Sequence, residues 1–148
     1  FEKIRERFAG NLFELHLSYS EVEQIGDNYS LVLDHIKDGD LISIHLPDYI
    51  NQDHLIDPFS ENIMVKERSR DLVNICINLS KKISEISNHE CLVLGSFSKR
   101  NCSKETFYKN LVDYFEKIKN LNGVTILAQW LPKKAWYFGG SKIPNLPF

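Results

Sequence analysis

The sequence is poor in cysteine, glycine and proline, with 3, 7 and 5 of them among 148 residues. Its three scattered cysteines, Cys76, Cys91 and Cys102, form neither a disulfide scaffold nor a zinc motif, which is typical of a reducing cytosol. No apolar run approaches the roughly 18–20 residues of a membrane span, and no signal peptide is recognisable. We therefore expect a cytoplasmic protein that has no membrane partner.

Several familiar signatures are also missing. No Walker motif, nucleophile elbow, paired-cysteine site or HExxH helix is present, so the sequence gives no sign of those nucleotide, esterase or zinc-protease sites. A composition of 43% hydrophobic and 26% charged residues excludes disorder, collagen and coiled coil. What is present is the composition of an ordinary globular domain.

Net charge is small, at −2, but its distribution is uneven. Residues 1–62 contain 13 acids and 4 bases, whereas residues 63–148 contain 7 acids and 14 bases. The acidic part also holds four of the five histidines: His16, His35, His45 and His54. An acidic, histidine-rich part could supply metal ligands and a basic part could hold an anion. The alternative is that solvated helix faces simply differ in charge.

Short apolar runs alternate with amphipathic segments along the chain. The runs predict strands over residues 12–17, 41–46, 91–94 and 124–128, and the amphipathic segments predict helices over 27–37, 65–87 and 103–120. Residues 47–61 are predicted to form a polar loop, and those after Gln129 to be loop as well. Near-continuous apolar strands separated by helices indicate a parallel sheet covered by helices, so we predict one α/β domain over residues 1–148.

Ligands of parallel α/β folds bind at the carboxyl ends of strands, where the first two strands carry histidines. His16 and His45 occupy matching places, and Glu14 shares a strand face with His16 because side chains alternate with period two. Neutral imidazoles there can bind a divalent metal or transfer protons. A hydrogen-bonded structural role is the alternative for each histidine.

The later strand ends carry polar and aromatic residues. Ser96 follows the third strand, in a turn whose backbone amides could hold a phosphate or could simply be a turn. Gln129 follows the fourth strand. Trp136 and Tyr137 could stack on sugars or bases, or could plug the end of a barrel.

These strand ends resemble successive strands of the xylose-isomerase-like TIM barrels, a superfamily that includes sugar-phosphate isomerases, epimerases and apurinic endonucleases. The resemblance rests on the order and spacing of five segments: 13–18, 44–47, the strand that ends near Gly95, 127–132 and 136–140. Residues 53–57 and the long helix after them resemble members found with bacterial surface-sugar genes. The resemblance implies a (β/α) barrel of the TIM type, of which this chain spans about half.

The resemblance implies proton transfer next to a carbonyl of a sugar or sugar phosphate in bacterial carbohydrate metabolism, with surface-polysaccharide metabolism as the narrower implication. It gives His45 the main catalytic or metal-ligand role, assisted by Glu14 and His16. Gln129, Ser96, Trp136 and Tyr137 are the implied substrate contacts. The implied cofactor is Zn, Mn or Mg, but Gly95 stands where the family has a histidine ligand and Gln129 where it has a glutamate.

Two other functions are compatible with the sequence. One is a non-catalytic carbohydrate-binding or assembly module on the same scaffold, which the two departures from the ligand set favour. The other is an apurinic-endonuclease-like nuclease, although a net charge of −2 opposes binding to a phosphate backbone. Because a closed barrel needs roughly 250 residues, we expect a partial barrel that pairs with a second copy or with the missing half.

Overall fold

The fold is described from a computed structural model of the chain. It describes residues 10–50, 55–97, 103–118 and 121–129, together with Lys3 and the backbone of two short strands at 136–137 and 141–142. The predicted polar loop over 47–61 lies partly outside these residues, as does the C-terminal end of the helix predicted over 103–120, and Cys102 lies outside them altogether.

Four parallel strands form the central sheet in the order in which they occur along the chain. They are β1 (Leu12–His16), β2 (Leu41–His45), β3 (Cys91–Gly95) and β4 (Val124–Ala128). Each strand pairs in parallel with the next. The α/β class and the four-stranded parallel sheet are therefore confirmed.

Four described helices connect these strands. They are α1 (Tyr19–Asp27), α2 (Ser30–Leu33), α3 (Ile63–Ser87) and α4 (Lys104–Phe115). Two further strands, β5 (Trp136–Tyr137) and β6 (Ser141–Lys142), pair as an antiparallel ladder, so the prediction of loop throughout this region was wrong. None of the described helices has both the length and the apolar character needed to cross a membrane.

The prediction of one helix over residues 27–37 was also wrong. The longer helix is α1, which starts earlier because Ser18 and Glu21 form a capping box: the Ser18 hydroxyl accepts from the Glu21 amide, and the Glu21 carboxylate accepts from the Ser18 amide. Asn28 follows with extended backbone and ends α1. Within the predicted range, only Asp27, which ends α1, and the four residues of α2 are helical.

Helix α3 confirms the long predicted helix and packs on the sheet. Asn62 caps its first turn by accepting from the amides of Met64 and Val65. Leu72, Cys76, Leu79 and Ile83 are at most 1% exposed, as the spacing of the apolar stripe predicts. Ile86, the last member of that predicted stripe, is 39% exposed, and Ser87, at 1% exposure, takes the buried position of the last turn instead.

The two faces of the sheet differ. Phe13, Ile44 and Val93 are buried on the face that packs against helices. The opposite face includes Leu12, which is 73% exposed, and its register partner Leu41, which is 40% exposed. No described helix covers this second face.

The buried stripe of α3 leads to a stability prediction. Leu79→Ala should lower the free energy of unfolding by about 2–5 kcal/mol, because it removes buried methyl groups and leaves a cavity against the sheet. Asn78→Ala on the exposed side of the same helix is the matched control and should stay within about 0.5 kcal/mol of the wild type. Urea denaturation monitored by circular dichroism measures both. Equal midpoints for the two variants would contradict this packing.

Candidate functional site

Five polar side chains meet at the carboxyl ends of the four parallel strands. We call them the strand-end cluster: Glu14, His16, His45, Ser96 and Gln129. All five were predicted site residues, and the structure brings them together. They emerge on the sheet face that no described helix covers, since His16, His45, Leu94 and Leu127 are successive register partners across the sheet.

The two histidines are stacked. His16 and His45 are paired residues of β1 and β2, and their ring centroids lie 4.8 Å apart with planes 11° from parallel. Glu14 lies two residues before His16, and its Oε1 is 2.7 Å from His16 Nε2. This contact orients the His16 ring and leaves Nδ1 as the nitrogen that can accept a proton.

The Gln129 side chain joins the ends of β2 and β3. Its Oε1 is 2.8 Å from His45 Nε2 and accepts from the Ser96 hydroxyl at 2.9 Å. The backbone N–H of Gln129 donates to the Gly95 carbonyl at 2.8 Å. This bond continues the β3–β4 ladder and fixes the position of the Gln129 backbone, from which the side chain extends. Two groups on different strands therefore converge on one amide oxygen.

The hydrogen bonds of His45 relate its protonation to the orientation of Gln129. Its Nδ1 lies 3.0 Å from the Leu46 carbonyl, which can only accept, so Nδ1 carries a hydrogen. The Gln129 Oε1 at Nε2 is also an acceptor, so this arrangement requires the imidazolium form of His45. A neutral His45 requires the amide to turn so that its nitrogen faces Nε2. Whether Nε2 donates or accepts therefore depends on which way the Gln129 amide faces.

Asp48 lies beside the cluster. The sequence places it just after the second strand, but residue type alone assigns it no role. Burial raises the pKa of the Asp48 carboxyl above its ordinary value, while the nearby His45 and His16 act in the opposite direction. The signal that could have identified Asp48 is its place three residues after His45 at the same sheet edge. What the sequence does not show is its burial.

The end of β3 is closed by packing. A Cβ at Gly95 would lie 2.6 Å from the Phe97 ring and 2.9 Å from Leu46 Cδ1, so this backbone has no room for a side chain. The histidine ligand that the family resemblance implies at this position therefore does not fit beside Phe97. Within the described part of the chain, no three His, Cys, Asp or Glu side chains are grouped so as to hold a metal ion. The divalent metal stays a prediction, and these residues alone do not form its site.

Two predicted substrate contacts, Trp136 and Tyr137, lie in β5. Their backbone pairs with Lys142 and Ser141, whereas their side chains lie outside what the structure describes. Their predicted stacking on a ring stays a prediction.

The described cysteines are packing residues. Burial raises the pKa of Cys76 to about 12 and that of Cys91 to about 11, so both thiols are protonated at neutral pH. Neither has the thiolate character that a nucleophile or metal ligand needs.

Comparison with protein-family models, with curated proteins and with solved structures found no match. The chemistry of the strand-end cluster therefore has to be inferred from its own geometry.

The raised pKa of Asp48 leads to a pH prediction. The folded protein binds this proton more tightly than the unfolded chain does, so the carboxylate reduces stability above its ordinary pKa of 3.8 and has no such effect well below it. Asp48→Asn should therefore stabilise the protein at neutral pH. The gain should shrink as the pH falls through the raised pKa towards 3.8. Urea midpoints of both proteins across this range test the sign, and a gain that grows towards acid would contradict it.

Proposed function

We propose that the strand-end cluster catalyses proton transfer next to the carbonyl group of a sugar or sugar phosphate, as an isomerase or epimerase does. The observation that carries this proposal is the convergence of His45 Nε2 and Ser96 Oγ on one planar oxygen, at 2.8 and 2.9 Å. Two hydrogen-bond donors aimed at one such oxygen are what polarises a carbonyl and stabilises an enediolate. The Gln129 oxygen occupies the place that the substrate's carbonyl oxygen would take.

The position of Gln129 makes this exchange feasible. Gln129 is exposed, and its side chain is held by these two hydrogen bonds at the end of β4. When the substrate oxygen replaces it, the displaced amide can donate to a substrate hydroxyl. This gives Gln129 the binding role that the sequence predicts.

The stacked histidines supply an acid and a base. Glu14 accepts from His16 Nε2–H, which leaves His16 Nδ1 free to take the proton from the carbon next to the carbonyl. The electron pair of that C–H bond moves towards the carbonyl oxygen, which takes a proton from His45 Nε2. For the isomer, His16 returns the proton to the former carbonyl carbon, and the hydroxyl on the first carbon gives its proton to the now neutral His45 and becomes the new carbonyl. For the epimer, the proton returns to the other side of the same carbon, and the enol hydroxyl gives its proton back to His45.

Asp48 supports this division of roles. A cationic His45 beside a neutral His16 places one positive charge in the stack, and the Asp48 carboxylate attracts that charge. We assign Asp48 the role of attracting the positive charge on His45 while that residue donates to the substrate oxygen. A divalent ion, if one binds, would polarise the same oxygen and would need ligands beyond the described residues.

A second candidate is a carbohydrate-binding module that has no turnover. The observation that favours it is that the polar groups of the cluster already form hydrogen bonds within the protein. Both His45 nitrogens, the Ser96 hydroxyl and the Gln129 oxygen have such partners. Stable polar networks have this property. Sugar binding without proton exchange would identify this function.

The proposal for the fold is a partial TIM barrel. It is supported by helices on one face of a parallel sheet and by a second face that combines exposed Leu12, Leu41 and Leu127 with the strand-end cluster. The interior of a barrel, with its site at the carboxyl ends of the strands, has this arrangement.

The partial barrel predicts association, either of two copies or with a separate chain. Light scattering during size exclusion should give a mass above the 17.2 kDa of one chain for the purified protein, or for its mixture with the other half. Leu12→Lys should lower that mass, because it places a charge on the uncovered face. A monodisperse wild-type monomer with both edge strands unpaired would contradict the half-barrel.

The catalytic proposal predicts exchange with solvent. In D2O the protein should incorporate deuterium at the carbon next to the carbonyl of one member of a panel of aldoses, ketoses and their phosphates, as followed by proton NMR. His45→Ala should lower the exchange rate by about 10²–10⁴-fold, because it removes the acid. Ser96→Ala should lower it by about 10²-fold through the loss of one oxyanion donor.

The matched control is His89→Ala. His89 is an exposed histidine just before β3, at the opposite edge of the sheet from the cluster, and its removal should leave the exchange rate unchanged. If His45→Ala leaves both the exchange rate and sugar affinity at the wild-type level, the cluster is not the site.

A further inference from the structure

A second polar site lies on the helical side of the molecule. Helices α3 and α4 and the segment before α3 enclose a cleft of about 230 Å³, which we call the α3–α4 cleft. Its lining consists of two aromatic residues and five polar or charged ones: Phe59, Lys66, Arg70, Asn110, Asp113, Tyr114 and Lys117. None of these residues belongs to the strand-end cluster.

The lining carries a net positive charge. Lys66 and Arg70 come from the first turns of α3 and Lys117 follows α4, whereas Asp113 is the one acid among the lining residues. None of the three cations forms an ion pair with another described residue. Unpaired cations that face a shared concave surface create a local positive potential.

Arg70 is held in place but keeps most of its donors. Its Nε donates to the Pro58 carbonyl at 2.9 Å, and its guanidinium carbon lies 5.1 Å from the centroid of the Tyr114 ring. A guanidinium has five N–H donors, and the four on the terminal nitrogens of Arg70 form no hydrogen bond with a described residue, so they can contact a ligand. Arginine fixed in this way is suited to forked contact with phosphate oxygens.

Tyr114 is a buried residue of this lining whose hydroxyl is unpaired among the described residues. The residue is 8% exposed, and its hydroxyl is buried without a hydrogen-bond partner among the described residues. Burial raises the pKa of Tyr114 to about 12, so the phenol is neutral and can donate. An unpaired buried hydroxyl is destabilising, and an acceptor oxygen bound in the cleft would satisfy it.

We propose that the α3–α4 cleft binds the phosphate group of a small molecule. Three cations and one carboxylate give the lining a charge that matches a phosphate dianion. The donors come from both helices, as a ligand with several acceptor oxygens requires. The cleft is smaller than the roughly 300–1,000 Å³ of pockets for drug-sized ligands, so it suits a phosphate and little more.

This ligand is separate from the substrate of the strand-end cluster. Helix α3 contacts the sheet on the face opposite to the one that carries His16 and His45, so one small molecule cannot reach both sites. The inference therefore does not depend on the proposed catalytic function. A catalytically inactive His45→Ala protein should bind phosphate as the wild type does.

Calorimetric titration with inorganic phosphate at low ionic strength and neutral pH tests the inference. The wild type should bind one phosphate. Lys66→Gln and Lys117→Gln should each weaken binding by about tenfold, because each removes a charge-assisted hydrogen bond. Lys82→Gln is the matched control: it removes the same charge from α3, but Lys82 lies over the Tyr29 ring outside the cleft, so affinity should not change.

Tyr114→Phe separates a ligand-binding hydroxyl from one that is merely buried. It keeps the ring against Arg70 and should weaken phosphate binding several-fold without lowering the urea midpoint. Unchanged affinity in this variant together with the two lysine variants would overturn the site. Absence of phosphate binding by the wild type would overturn it as well. So would an equal loss of phosphate affinity in Lys82→Gln, because that result would indicate unspecific electrostatic attraction.

Titrations with ribose 5-phosphate and with ribose identify the source of the phosphate, and only the binding that Lys66→Gln weakens is attributed to the cleft, because the strand-end cluster is itself proposed to act on sugar phosphates. Binding of both phosphate compounds but not of ribose supports the proposal. Tighter binding of the ester than of inorganic phosphate identifies a phosphorylated metabolite, and equal binding identifies free phosphate. Binding of single-stranded DNA in strong preference to both would overturn the small-molecule assignment.

Discussion

His16 and His45 lie side by side because β1 and β2 pair residue for residue, from Leu12 with Leu41 to these two histidines. Side chains alternate between the faces of a strand, so a slip of one residue would move one ring to the helical face. The apolar residues of the two strands prevent that slip, since it would also expose buried Phe13 or Ile42. Core packing thus determines where the two imidazoles meet. The contacts to Gln129 depend on the same register carried through β3 to β4.

Much of this arrangement was predictable from the sequence. Period two places Glu14 and His16 on one face, and parallel strands bring His16 and His45 to one edge. The contacts of Gln129 were harder to predict from the sequence, since they depend on one side chain that reaches across two strand ends. Helix α1 shows a different limit of prediction from sequence, since its position was missed. Its capping-box signal is present at Ser18 and Glu21, but only Val22 and Ile25 are buried, so its apolar periodicity is weak.

At the end of β3, aromatic packing leaves no room for the histidine metal ligand that the resemblance implies at position 95. Phe97 folds back over Gly95 and packs near Phe115 and Phe59, with ring centroids 5.3 and 6.2 Å away. This aromatic contact occupies the space that a histidine at position 95 would need. What β3 contributes to the cluster is therefore a hydroxyl, that of Ser96, which can donate to an oxygen but offers no charge to a cation. A hydroxyl at this strand end suits the proposed hydrogen-bond catalysis or sugar binding better than it suits the metal site that the resemblance implies.

The uneven charge of the sequence corresponds to two different surfaces. The acidic, histidine-rich part supplies Glu14, His16, His45 and Asp48 at the sheet edge, whereas Lys66, Arg70 and Lys117 of the α3–α4 cleft all come from the basic part. Connectivity explains this division. The strands that carry imidazoles come first, and the helices that form the cleft flank β3. The sheet lies between the two surfaces, so each can have the electrostatic potential that its proposed function requires. Proton transfer needs carboxylates near imidazoles, and anion binding needs cations that have no carboxylate partner.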